Sequence, residues 1–320
     1  MSIIISYNKH QNNWYVGELY EYFAKAMGSE QEISIIPIHE LAKIYSEPNQ
    51  TRENGYLSLF NIYNLIVYNP EKHIGFVHSL SDHSATMLEH KSALEKLGIK
   101  AMSFCSNLTN DIIEKYKYLD INIIPSFYVL EHWNDHDLIE KEYASYQPKT
   151  NQCYFNGACY GHRANYINSL RSNSFFNLKD KSNPEYYRTK QQYYQEFYQH
   201  RYGLSLNGAA KICYRDLECF GLGSLCLRES MEIKTKDQLL PDKHYKVVLD
   251  DFITQNIYDP DKSAEVIERL LHNINNISTE EEEYIVHNAR SWFINNAKPD
   301  TQVMFLKQCL LEINLIDPID

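Results

Sequence analysis

Apolar residues in the first half of the chain fall in short aliphatic blocks, separated by longer stretches in which they recur every three to four positions. Such blocks fit buried strands, and the stretches between fit helices with one apolar face. The pattern predicts strands at Ile3–Ser6, Ile33–Ile36, Leu65–Tyr68, Ile74–His78, Ala101–Phe104 and Asn122–Ile124. Helices are expected over Trp14–Met27, Ala85–Leu97 and Asp111–Tyr118, with Gly98 stopping the second. This alternation implies a parallel sheet wrapped by helices.

Around Tyr143–Gln152 the sequence turns polar, with Ser145, Pro148, Lys149, Thr150 and Asn151 together, which sets a domain boundary near residue 148. A second alternating block follows: strand Cys153–Phe155, helices Arg163–Leu170 and Pro184–Gln199, strand Leu204–Leu206, helix Arg215–Gly221, and strands Leu225–Leu227 and Tyr245–Leu249. The end is helical over Ser263–Asn273, Thr279–Asn296 and Gln302–Leu315, and Ser278 ahead of Glu280, Glu281 and Glu282 supplies a cap. A chain of 320 residues outgrows a single core. The expectation is an α/β protein with a first domain over 1–148, a second over 149–300, and a closing helix, 301–320, that packs back on the first.

Composition narrows the partners. No apolar run approaches the ~20 residues of a spanning helix, so no integral membrane segment is expected. The first residues read as a strand, without the basic region and apolar core of a secretory signal, which suggests a cytoplasmic protein. A net charge of -11 opposes broad binding to nucleic acid or anionic lipid, so any anion site must be local and assisted by backbone. The seven cysteines are scattered without a Cys-x-x-Cys pair and read as buried small hydrophobes in a reducing compartment, with no zinc constellation.

Candidate chemistry concentrates between Tyr202 and Leu225. An apolar strand stops at Asn207-Gly208, and the small residues through Ala209 and Ala210 let backbone approach a diphosphate closely. Arg215 follows at a helix start, where guanidinium and backbone N–H groups can share anionic charge. Glu218, three residues on, shares its helix face and can accept from two ribose hydroxyls. Gly223 ends the helix, and Ser224 leads into the next strand. The same Arg215 and Glu218 also fit a solvated ion pair worth under ~1 kcal/mol.

Taken with Cys153-Tyr-Phe155-Asn-Gly157-Ala-Cys-Tyr-Gly161-His-Arg163, with His244-Tyr245, and with the run from Asp120 through Pro125 to Trp133, this region resembles the CAP10-like, or family 90, glycosyltransferases. The resemblance covers about residues 118 to 297. It implies a GT-B architecture, two Rossmann-like domains facing a cleft, with an acceptor-side first domain and a nucleotide-sugar-binding second domain. It further implies that Arg163 and Arg215 face the donor diphosphate, that Gly157, Asn207, Gly208, Ala209 and Ser224 line the donor, and that Glu218 holds its ribose. Asn156 stands where the family has arginine, and Asn207 replaces the turn aspartate, so the donor preference is not carried over.

Such an enzyme needs neither metal nor cofactor, because arginines and a helix N-terminus can stabilise the departing nucleoside diphosphate. The acceptor's proton needs a base. Asp82, in His78-Ser-Leu-Ser-Asp82-His83 after a predicted strand, is the candidate with His83 in reserve, and the same Asp82 fits a helix cap. Asp135-His136-Asp137, Asp259-Pro260-Asp261 and the spacing of His132 with His136 could be read as metal ligands but fit solvated loops better. The tyrosines around Tyr186–Tyr202 read as helix packing before base stacking. The leading expectation is transfer of a sugar from a nucleoside diphosphate donor, first a UDP-sugar, to a hydroxyl of a glycan or protein. The alternatives are an inactive nucleotide-sugar-binding module and a sugar-nucleotide epimerase.

Overall fold

The computed structural model describes residues 2–7, 17–45, 64–79, 91–104, 108–117, 119–126, 130, 133–145, 147–159, 162–180, 189–207, 211–249 and 260–318. Contacts divide the chain into two compact units. Unit 1 comprises Met1–Trp133, Ile233–Gln238 and Lys298–Asp320, and unit 2 comprises Asn134–Glu232 and Leu239–Ala297.

Unit 1 holds a sheet in the order β2-β1-β3-β4-β5-β6, with β1 Ile3–Tyr7, β2 Ile33–Pro37, β3 Asn64–Asn69, β4 Ile74–Ser79, β5 Ile99–Phe104 and β6 Asn122–Pro125. The sheet is mixed rather than parallel throughout, because β3 runs antiparallel to both β1 and β4. Only residues 70–73 separate β3 from β4. That is far short of the dozen or more that a parallel crossover requires. The turn is fixed by Asn69, whose Oδ1 accepts from the N–H groups of Glu71 and Lys72, and by His73 at φ 52°.

One face of this sheet presents Ile66, Tyr68, Val77, Met102 and Phe104 to α2 (Ile38–Tyr45), α3 (Lys91–Lys96) and α4 (Asn110–Tyr116), which contribute Ile38, Leu41, Leu94 and Tyr116. Strand alternation turns His78 to the other face. There it meets α1 (Gly17–Gly28) through the Tyr20 ring and α11 (Pro299–Glu312) through Gln302, 3.0 Å away. Beyond α11, Leu315 accepts from Asn69 Nδ2 at 2.9 Å. The 233–238 segment is held by Lys234 N–H on the Leu108 carbonyl and Lys236 N–H on that of Ser126. Gly98 takes φ 52° where the sequence places a helix stop. Helix α2 was not anticipated; its short amphipathic pattern runs straight on from β2 without a turn signal.

Unit 2 holds a sheet in the order β11-β10-β9-β7-β8, parallel throughout. Its strands are β7 Thr150–Asn156, β8 Phe176–Lys179, β9 His200–Ser205, β10 Leu225–Arg228 and β11 Lys246–Val247. Phe155, Leu204, Leu225 and Leu227 pack with Ile167 and Leu170 of α6 (His162–Leu170), Leu270 and Ile274 of α9 (Pro260–Asn275), and Ile285 of α10 (Thr279–Asn296). Helices α7 (Lys190–Tyr198) and α8 (Tyr214–Leu222) precede β9 and β10. Helix α5 (Trp133–Tyr143) joins this unit through Glu140, which pairs at 2.5 Å with Arg290 of α10, while Arg290 also donates to the Gly221 carbonyl of α8. The polar stretch near residue 148 is therefore the lead-in to β7, and the division falls at Trp133/Asn134.

Candidate functional site

In a parallel sheet the strands' carboxyl ends open on one edge, and ligands gather there. In unit 2 that edge carries Gly157 after β7, Asn207 after β9, Arg163 in the first turn of α6, and Arg215 in the first turn of α8 with Glu218 one turn further. Helix α8 starts here because Cys213 is extended, at φ -137° and ψ 169°, and the Asp216 carboxylate turns back to accept from its N–H at 2.8 Å.

Arg215 lies 4.6 Å over the Phe155 ring and donates through Nη2 to the Asn156 carbonyl. The missing side chain of Gly157 makes this approach possible, since a Cβ there would stand 2.9 Å from Nη2 and 3.3 Å from Nη1. Nε and Nη1 are buried and have no hydrogen-bond partner among the described residues. Burial works against the charge, but Tyr193, Glu218, Cys213 and Cys219 together outweigh it, and the guanidinium is held more firmly protonated than usual. Arg215 and Glu218 are not the solvated ion pair that their spacing allows. Glu218 is buried and accepts at Oε2 from the Tyr193 hydroxyl at 2.5 Å.

Arg163 is a strap on the end of β9, with Nε on the Asn207 carbonyl at 2.9 Å and Nη2 on that of Leu206 at 2.6 Å. Both arginines act on the thiol of Cys213, which burial raises first and Asp216 second, and which Arg163 and Arg215 draw back down. The Asn207 N–H donates to Glu229 Oε1, and its Oδ1 accepts from Arg228 Nη2, each at 2.9 Å. Alongside Arg215, Tyr154 donates to Glu196 at 3.0 Å and Glu196 pairs with Lys179 at the end of β8.

Ser224 is not brought to this edge. It sits before β10, past the far end of α8, about 12 Å of helix from Arg215. Its hydroxyl donates to the His200 carbonyl and accepts from Lys149 Nζ, which also caps the carbonyls of Leu222 and Gly223. Asp82, His83, Gly208 and Ala209 lie outside the described residues, as do His132 and Asp259. Asp135 and His136 are not solvated loop residues: both are buried on α5, where Asp135 pairs with Lys190 at 3.5 Å and His136 stacks on Phe293. Among the described residues no group of three or more His, Cys, Asp or Glu could hold a metal ion, and no helix is long and apolar enough to cross a membrane.

Sequence reasoning missed Arg228, Asp216 and Tyr193. Arg228 at the end of β10 donates to Asp216 Oδ1, Asn207 Oδ1 and the Lys211 carbonyl, tying together β10, α8 and the turn after β9. A charged residue closing the apolar run Leu225-Cys226-Leu227 was the available signal, since a buried arginine requires an acid nearby.

The assembled chemistry suits an anion with several oxygens. A fixed guanidinium offers two donor nitrogens unpaired among the described residues at a helix N-terminus, with a glycine holding the chain back and a carboxylate one turn away. No protein-family model matches the chain, and no curated protein does. Among solved structures, the chain is similar to the pneumococcal O-GlcNAc transferase GtfA, determined in complex with UDP and GlcNAc, over 71% of its own length and 55% of that enzyme's, at 9% identity and a TM-score of 0.38. The chain therefore spans about half of that enzyme, and a likeness this loose assigns no activity.

Proposed function

We propose that the strand-end site of unit 2 binds the diphosphate of a nucleotide sugar, a UDP-sugar first among them, and that the protein transfers the sugar to a hydroxyl of a glycan or protein without a metal. The observation that carries this is Arg215, whose buried Nε and Nη1 have no partner among the described residues and which stands beside Gly157 and the start of α8. Buried donors are almost always paired in folded proteins, and a charged one left unpaired calls for a ligand. The resemblance of this segment to family 90 glycosyltransferases supports the same reading.

In that reaction the bond from the sugar's anomeric carbon to the diphosphate breaks while the acceptor hydroxyl attacks. Negative charge grows on the leaving phosphate oxygens, and Arg215, with the α8 N-terminus, stabilises it where it develops. Glu218 Oε1 accepts from a ribose hydroxyl. Arg163 fixes the end of β9 at Asn207, and the sequence-based roles of Gly208 and Ala209 toward the phosphates and of Asp82 as the base for the acceptor's proton complete the proposal. The test is a thermal-shift screen against nucleoside diphosphate sugars, with and without EDTA, on wild type and Arg215→Ala. Stabilisation by one donor class that survives EDTA and is lost in Arg215→Ala is expected. No shift with any nucleotide sugar, or an undiminished shift in the variant, overturns the assignment.

A further inference from the structure

We infer that Tyr193 is a positioning residue that keeps Glu218 from pairing with Arg215, and so keeps the guanidinium available to phosphate oxygens; this rests on the anion site proposed above. An arginine and a glutamate three residues apart on a helix face each other and pair by default. Arg215 and Glu218 form no such pair, although the arginine has two donors to spare and the carboxylate is only 4% exposed. A buried carboxylate must find a donor. Glu218 finds it across the helix interface, in the Tyr193 hydroxyl of α7, at 2.5 Å.

Tyr193 is itself fixed. Its ring packs against Tyr154 and Phe197 at 6.1 and 5.9 Å, and it follows directly on the capping box between Thr189 and Gln192 that opens α7. Of the neighbouring tyrosines, Tyr154 donates its hydroxyl to Glu196, and Tyr194 turns its own toward Asp135. Loss of the Tyr193 hydroxyl leaves Nε and Nη1 of Arg215 as the donors Glu218 can reach by a change of rotamer. The site would then meet an anion with a neutralised pair instead of a cation.

Inorganic pyrophosphate is the probe, because it lacks a ribose and so does not report on Glu218 as a ligand. Calorimetric titration of wild type, Tyr193→Phe, Glu218→Gln and the double variant decides the matter. Tyr193→Phe is expected to weaken pyrophosphate about tenfold or more, as the loss of a charge-assisted contact implies. The double variant is expected to regain the affinity of Glu218→Gln, since an uncharged amide no longer neutralises Arg215; a merely structural role for the hydroxyl predicts no such rescue. Pyrophosphate affinity unchanged in Tyr193→Phe, or a double variant as weak as Tyr193→Phe, overturns the role of Tyr193 while leaving the anion site standing. A wild type that does not bind pyrophosphate removes the site and this role together.

Discussion

Arg228 Nη1 and Asp216 Oδ1 stand 2.5 Å apart with side chains 1% and 0% exposed. The pair joins the last residue of β10 to the first turn of α8, and Asp216 uses its second oxygen on the Cys213 N–H that starts the helix. Removing either partner strands the other charge in the interior. Arg228→Ala and Asp216→Ala are each expected to cost about 3–5 kcal/mol, and Arg228→Met with Asp216→Leu much less than the sum. Urea unfolding of the four proteins checks this; single variants within about 0.5 kcal/mol of wild type would mean that the charges are solvated.

Long-range pairings like this one were the illegible part of the sequence. In unit 2, β7, β10 and β11 were readable because their apolar blocks are short and bounded, whereas only the end of β9 was foreseen and β8 was missed; Gly223 marked the end of α8, where it takes φ 63°. The place of Arg215 at a helix start was readable from the strand stop before it. Tyr193 was not, because a tyrosine on an apolar stripe satisfies packing equally well and its partner lies 25 residues away. Ser224, carried over with the family resemblance, lies elsewhere for a directional reason: α8 takes the chain back to the opposite edge of the sheet before it. The short β3–β4 spacing already forbade a parallel pair, and the alternation of blocks concealed it.

Gly157 is expected to tolerate no side chain. An alanine Cβ would stand 2.9 Å from Arg215 Nη2 and 3.2 Å from the Phe155 ring. The guanidinium must then leave the Asn156 carbonyl. Gly157→Ala should weaken pyrophosphate about tenfold or more and cost about 1–3 kcal/mol in stability through overpacking. Titration and unfolding of the same preparation separate the two effects, and unaltered binding would show that Arg215 acts from a different position.

Lys149 carries an ionisable group at the far end of α8. Burial lowers it to about 7, against the opposing pull of Cys219 and Glu282. Between pH 7 and the ordinary 10.5 the unfolded chain holds a proton that the folded chain has released. Stability from this group therefore rises with pH across that window, and unfolding takes up a proton. Lys149→Met is expected to lower proton uptake on unfolding at about pH 8.5 by nearly one equivalent, measured by calorimetry in buffers of different ionisation enthalpy. Equal uptake in both proteins would place the folded lysine near its ordinary value.

His78 works in the acid range. It is fully buried at the end of β4, touching Gln302 at 3.0 Å through Nε2, with Nδ1 unpartnered among the described residues. Burial lowers it from 6.5 to about 3. Between those values the unfolded state binds a proton that the folded state refuses, so stability falls as pH drops through 6.5 and goes on falling until about 3. The slope from one such group is about 1.4 kcal/mol per pH unit. His244 adds a second, shorter contribution, since burial first and Lys243 second lower it to about 4. His78→Gln should therefore unfold with a shallower acid dependence than wild type between pH 6 and 4, by about one proton, whatever its stability at neutral pH. Unfolding free energies at several pH values measure that slope directly. Parallel curves for the two proteins would mean that His78 takes its proton while folded, and that the Gln302 contact bends to an imidazolium.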